Sequence, residues 1–374
     1  MSKATLLRLH KWCGLSLCIL LLLQACTGLL MAHREWLRPL LHSHSRIEPG
    51  RPMMPLDQLF AGLQARFPEH RLERLVQNQR DDVALLARFY KAGRRDLIIA
   101  DVDPATGVVL GSGPLVAYPL QLAERLHVSL LIGTTGSAIL VAEGLGLAFM
   151  AISGVLIWWP RTARLLRALR IHWRGSTSQV LRDLHVVPGA LIAPLLVLSS
   201  LTGVLIIADP LTHALVGSFA KVNPEISLDL PPATRPNQPM SWQVAYEQMR
   251  ARFPDSRLRQ IRPLDPQGRT LGVLSVAQNV ANPRAHDMAL VDRWTGALVV
   301  FSDGHALPPG QAALDWIMPL HTGEAYGPLR PLLMTLSGGG LATLTVTGAW
   351  MWLRQRARRS MRAAQTVAAA SRNG

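Results

Sequence analysis

Four histidines stand where an imidazole is costly to keep. His10 opens the apolar run LHKWCGLSLCILLLLQACTGLL, and His185 opens LHVVPGALIAPLLVLSSLTGVL. Each precedes one glycine by four residues (Gly14, Gly189) and another by eighteen (Gly28, Gly203). His127, in LHVSLLIG, and His321, in LHTGEAYG, form a second matched set. A glycine follows each after six residues (Gly133, Gly327), another after twenty-seven (Gly154, Gly348) and a tryptophan after thirty-one (Trp158, Trp352). An ionisable side chain in an apolar span signals function, because leaving it unpaired there is expensive. A lone histidine could simply hydrogen-bond at the lipid interface. Two symmetric pairs point instead to ligation. Haem iron takes two axial imidazoles from opposite sides, and facing helices supply them. Zinc usually needs four ligands, often including thiolate or carboxylate, and neither pair has such company in the sequence.

The elements that must hold these residues are membrane spans. The chain has 374 residues, 49% of them hydrophobic and 17% charged, with mean hydropathy +0.20. Four segments reach the roughly 20 apolar residues needed to cross a bilayer: residues 1–33, 127–159, 185–209 and 321–353. Polar, strand-rich stretches fill 34–126 and 210–320, a short basic loop fills 160–184, and 354–374 is a basic tail. The formal charge of +15 is concentrated in the short segments. Lys3, Arg8 and Lys11, the arginines of the loop (Arg161, Arg164, Arg167, Arg170, Arg174, Arg182) and those of the tail (Arg354, Arg356, Arg358, Arg359, Arg362, Arg372) face a single acid, Asp183. The positive-inside rule puts those segments and both termini in the cytoplasm and the two large domains in the periplasm. A pI near 11.1 is thus a topology signal. Neither large domain carries the basic patch that nucleic-acid binding requires. The apolar run of the first span is too long for a secretory signal core. Cys13, Cys18 and Cys26 all lie in that span, so there is no disulfide framework, and there is no C-x-x-C-H for covalent haem.

The chain reads as two copies of one unit, each a span, an outer domain and a span. ARFPEHRL returns as ARFPDSRL, and VDPATGVVL as VDRWTGALV. With two spans per copy the copies run parallel, so His10 meets His185 at one face and His127 meets His321 at the other. Each span also carries a small pair: Thr27-Gly28, Ser153-Gly154, Thr202-Gly203 and Thr347-Gly348. These glycines could present a flat surface to a haem or serve plain helix packing. Glu143, mid-span, could relay protons, neighbour a haem, or be hydrogen-bonded within the bundle. His33 and His213, near the outer ends of spans one and three, are alternate ligands for the outer site. Arg34 and Arg330 could pair with haem propionates or anchor the interface. His42, His44, His70, His172, His286 and His305 read as surface residues. The outer domains read as α+β: LDQLFAGLQARF and WQVAYEQMRARF are helical, and DVALLARFY, DLIIADVD, TLGVLSVAQ, DMALVDRW and TGALVVF are strands.

The LH-x-x-x-G…TG spans, LHTGEAYG and the paired ARFP…D-x-x-TG domains resemble the PepSY-associated transmembrane family over nearly the whole chain. Within it the sequence is similar to inner-membrane ferrisiderophore reductases of the FoxB type. Lys11 and Val186 depart from the usual pattern without touching a proposed ligand. The resemblance implies two haem b groups in the four-span bundle, electrons from a cytoplasmic or quinol donor, and reduction of ferric siderophore in the periplasm. A membrane-anchored peptide-binding or protease-inhibitory module is the alternative of a different class. A transporter is disfavoured by the lack of broken mid-membrane helices.

Overall fold

The computed structural model describes residues 2–91, 97–160, 168–223, 238–264, 269–278 and 280–370. Arg161, Arg164, Arg167 and Arg372 lie outside them. Two compact units result. One comprises Met1–Ala32, Glu124–Ala208 and Leu320–Gly374; the other comprises His33–Ala123 and Asp209–Pro319.

The first unit is a helix bundle. Its long helices are α1 (Lys3–Ala32), α5 (Gly133–Trp158), α6 (Thr177–Ile207) and α10 (Arg330–Ala370), and four helical stretches of this unit are long and apolar enough to cross a membrane. Through their long apolar stretches α1, α5 and α6 are apolar on all sides, which suits burial or lipid, and α10 is so only before its arginine-rich end. Their outward residues include Ile19, Leu156, Leu191 and Trp350, each more than half exposed. Apolar surface on that scale fits a bilayer environment rather than water. Helix α1 packs against α5 and α10, and α6 against the same two. The core is Leu21, Ala25, Ile192, Leu196 and Leu341.

Glycines set the close approaches. A Cβ at Gly144 of α5 would lie 2.6 Å from Val204 and 3.4 Å from the Ser200 carbonyl of α6. A Cβ at Gly338 of α10 would lie 3.3 Å from Leu29 and from the Ala25 carbonyl of α1. Gly146 against Leu17 and Gly340 against Ile192 repeat the pattern on the other two contacts. The matched sequence positions thus make matched contacts.

The long helices that follow His127 and His321 begin beyond them, although the fourth membrane-crossing stretch, Pro309–Met361, takes in His321. His127 ends a separate helix, α4 (Pro119–Ser129), and Leu130 and Leu131 then adopt positive φ (50° and 64°) before α5 starts. His321 likewise ends α9 (Pro309–Thr322), and Gly323 (φ 79°) and Gly327 (φ 52°) turn the chain into α10. Such backbone is left-handed and ends a helix.

The second unit is one antiparallel sheet, where two separate domains were expected. Its strands are β1 (Arg71–Val76), β2 (Leu85–Tyr90), β3 (Leu97–Val102), β4 (Val109–Pro114), β5 (Ser256–Pro263), β6 (Thr270–Ala277), β7 (His286–Asp292) and β8 (Leu298–Ser302). The order is β4-β3-β2-β1-β5-β6-β7-β8, and the halves join where Leu75 pairs with Ile261 and Val76 with Gln260. Helices α3 (Leu56–Arg66) and α8 (Trp242–Arg252) cover one face, burying Leu56, Leu63, Ala245 and Met249 against Leu75, Ala87, Ile261 and Val273. The Asp57 carboxylate accepts from the Trp242 and Gln243 amides at 2.8 and 3.1 Å, capping α8 from the other half. A short helix follows the first span, α2 (Arg34–Leu41), and another the third, α7 (Asp209–Gly217).

The repeated D-x-x-TG motif makes the hairpin turns. Asp103 accepts from Ala105 N and Thr106 Oγ1, and Asp292 from Trp294 N and Thr295 Oγ1. Gly107 and Gly296 then take φ of 71° and 74°. Gly296→Ala should therefore cost about 1 kcal/mol, read as a melting shift of roughly 2–4 °C for a unit of this size. An unchanged midpoint would contradict the turn.

Candidate functional site

Two imidazole pairs face each other in the bundle. The rings of His10 and His185 have centroids 6.5 Å apart, with planes crossing at 89°. Those of His127 and His321 are 6.2 Å apart, at 52°. Two imidazoles bound to one metal through bonds of about 2 Å place their centroids about 6 Å apart. Both pairs have that spacing.

The tautomers are fixed by neighbouring helices. His185 Nδ1 lies 3.0 Å from the Leu344 carbonyl and 3.2 Å from Thr347 Oγ1. His321 Nδ1 lies 3.0 Å from the Ser199 carbonyl and 3.1 Å from Thr202 Oγ1. A carbonyl can only accept, so Nδ1 carries the proton and Nε2 the lone pair. His10 Nδ1 meets Ser153 Oγ at 2.9 Å, and His127 Nδ1 meets Thr27 Oγ1 at 3.0 Å. Those hydroxyls spend their own protons on the Met150 carbonyl (3.2 Å) and the Leu23 carbonyl (2.7 Å). They too must accept. All four rings therefore offer Nε2, the arrangement seen in metal-ligating histidines.

The glycines of the Ser/Thr-Gly pairs each touch an imidazole, and two of them, Gly154 and Gly348, also line a cavity beside it. A Cβ at Gly28 would lie 3.1 Å from His127 Cε1, and one at Gly154 would lie 3.3 Å from His10 Cε1. One at Gly203 would lie 3.1 Å from His321 Cε1, and one at Gly348 would lie 3.1 Å from His185 Cε1. Each pair is a seat: the glycine admits the ring edge and the hydroxyl orients it. The sequence showed these pairs but not this task, which depends on which helix each histidine leans against.

A cavity of about 450 Å³ surrounds the first pair. Leu and Met side chains, Trp158, Trp352 and Gly14, Gly154, Gly189 and Gly348 line it, with Lys11, Arg182, Thr345 and Gln355 as its polar residues besides the histidines. Lys11 and Arg182 were missed by sequence reasoning, which read them as topology charges only. Among the described residues, groups of three or more potential metal ligands occur elsewhere, not at these pairs. Two axial nitrogens in an apolar cavity with cations at one end suit a planar macrocycle that brings its own equatorial ligands and carboxylates. They do not suit bare zinc. The residues fit haem.

The other expected site residues are placed as follows. His213 Nδ1 is tied to Asp209 one turn earlier, at 3.0 Å to its carboxylate. His33 precedes α2, and its carbonyl accepts from the Trp36 and Leu37 amides. Arg34 pairs with Glu35 at 3.5 Å, and Arg330 Nε donates to the Thr322 carbonyl at 3.2 Å, bracing the turn after His321. Glu143 is only 3% exposed, and neither carboxylate oxygen has a hydrogen-bond partner among the described residues. His42 is buried rather than on the surface, because it stacks on Tyr118 at 4.7 Å.

No curated protein matches the chain. The family described as PepSY-associated TM region matches residues 7–355. That span takes in all four histidines, the bundle and the sheet, and the chain belongs to the PepSY-associated TM region family.

Proposed function

We propose that the protein is a di-haem electron carrier of the bacterial inner membrane that reduces ferric siderophores at the periplasmic face. In this reading the chain is a tandem duplication, its termini and basic loop are cytoplasmic, and its sheet unit is periplasmic. The observation that carries the reading is the pair of facing imidazole sets with every Nδ1 engaged, at 6.5 and 6.2 Å. The basic residues on short segments support the topology. Arg354 and Arg356 lie over the rings of Trp350 and Trp352, at 6.0 and 5.5 Å, as interfacial anchors do.

His10 and His185 would hold one haem b, and His127 and His321 the other. Haem, when bound, supplies reversible one-electron chemistry. The chain supplies the rest. Thr27, Ser153, Thr202 and Thr347 fix the ligand tautomers, Leu and Met side chains exclude water, and Lys11 and Arg182 offer charge for propionates. Electrons enter from a cytoplasmic or quinol donor and leave to ferric iron in its chelate. Ferrous iron, less charged, binds hard oxygen chelators more weakly and is released.

The test is direct. Dithionite-reduced protein in detergent is mixed with ferric hydroxamate siderophore and a ferrous-trapping dye. Reoxidation with stoichiometric dye colour is expected. A colourless protein would sink the reading and favour a membrane-anchored PepSY module, and a coloured one that stays reduced would overturn the siderophore as electron acceptor.

Thr27→Val removes the hydroxyl that accepts from His127 Nδ1 while keeping the volume, and leaves only the ring's backbone bond to Gln24. Haem affinity at that site should fall about 10–100-fold, as for other lost outer-shell partners. Titration of stripped protein with haem measures it, and an unchanged affinity would contradict the seat.

A further inference from the structure

A second cluster of ligating groups lies in the sheet unit. His42 follows α2, His44 sits in the turn Ser43–Ser45, and Asp101 is in β3. One donor atom from each lies within 4.8 Å of the others. Asp101 is fully buried. Arg38 pairs with its Oδ1, while its Oδ2 faces His44 Nε2 at 2.9 Å and the Tyr118 hydroxyl at 3.3 Å. His42 is 9% exposed, and its Nε2 has no hydrogen-bond partner among the described residues. Buried polar nitrogens are nearly always paired, so this one calls for an explanation.

Gly111 sits opposite Asp101 in the β3–β4 register. A Cβ there would fall 2.3 Å from His44 Nε2, so the imidazole fills space that any other residue would take. The cluster is not required to build the sheet. By the same repeat, the other half carries Gly217, Phe219 and Leu290 at these positions, and it forms its four strands without them.

We propose that His42, His44 and Asp101 bind a divalent first-row transition-metal ion. Two imidazoles and one carboxylate are a donor set for such ions, with remaining positions open to water. Donors about 2.1 Å from one ion sit about 3.0–3.4 Å apart, and the His44–Asp101 separation of 2.9 Å is already close to that. His44 carries its proton on Nδ1 when Nε2 binds the ion. Arg38 and Tyr118 hold the carboxylate, as outer partners of a metal ligand do. His44, with 41% of its side chain exposed, gives the ion access. The proposal does not depend on what the imidazole pairs of the bundle hold.

The experiment is calorimetric titration of the full chain, without a polyhistidine tag, with Zn²⁺. One Zn²⁺ site is expected, weakened at least about tenfold by His44→Ala and by His42→Ala. His305→Ala, in the grouping of Asp287, Asp303 and His305, should leave it unchanged. His44→Ala, at the more exposed of the two histidines, serves alone if His42→Ala fails to fold, its folding checked by an unchanged circular-dichroism spectrum. No heat of binding in the wild type, or wild-type affinity in folded His44→Ala, overturns the proposal.

Discussion

His185→Ala is expected to lower the haem content from two per chain to one, and His10→Ala to remove the same haem. In the proposed ligation each ring, its centroid 6.5 Å from the other's, would supply one of two ligands, and losing either would leave the haem iron one ligand short. The double mutant should lose no more than either single, because partners in one site are not additive. The helices should survive both changes. The cores of α1 and α6 are built from Leu21, Ala25, Ile192 and Leu196, not from the histidines. If the two single mutants removed different haems, the pairing across the bundle would be wrong.

The second large effect concerns the His127–His321 pair, which the proposed topology places at the outer face. His321→Ala should slow reoxidation by ferric siderophore by more than about 100-fold, beyond the cost of losing a mere supporting residue. The spectrum of the His10–His185 site should remain. His321 sits at the end of α9, before the turn at Gly323, so the mutation removes a ligand without altering α10. Stopped-flow absorbance on wild type and mutant separates the outcomes. A mutant that lacks the outer haem yet reoxidises at the wild-type rate would show that electrons leave by another route.

The long spans and the facing of the histidines were legible because both rest on period and spacing. Four apolar runs declare themselves by length, and the matched distances to Gly28, Gly154, Gly203 and Gly348 put equivalent residues at equivalent depths. The breaks after His127 and His321 were harder to read. Leu130 and Leu131 carry no glycine or proline to mark positive φ, though the Gly-rich TGEAYGP in the other half was a usable sign. The single sheet was missed because its joining strands are RLERLV and SRLRQIRP. A bulge interrupts each strand, between Leu72 and Arg74 and between Leu258 and Gln260, so apolar and polar residues lose the strict alternation by which a half-buried strand is read. His42 was misjudged because its burial comes from Tyr118, distant in sequence. The seating role of the glycines depends on inter-helix contacts that no single segment encodes.

The reading stands or falls on what the two imidazole pairs hold. A pyridine haemochrome assay on purified protein, set against protein mass from amino-acid analysis, measures it most directly. Two non-covalent b-type haems per chain are expected, with the sharp low-spin visible bands of six-coordinate iron. One haem per chain, none, or a high-spin spectrum at both sites would contradict the ligation assigned to His10, His185, His127 and His321.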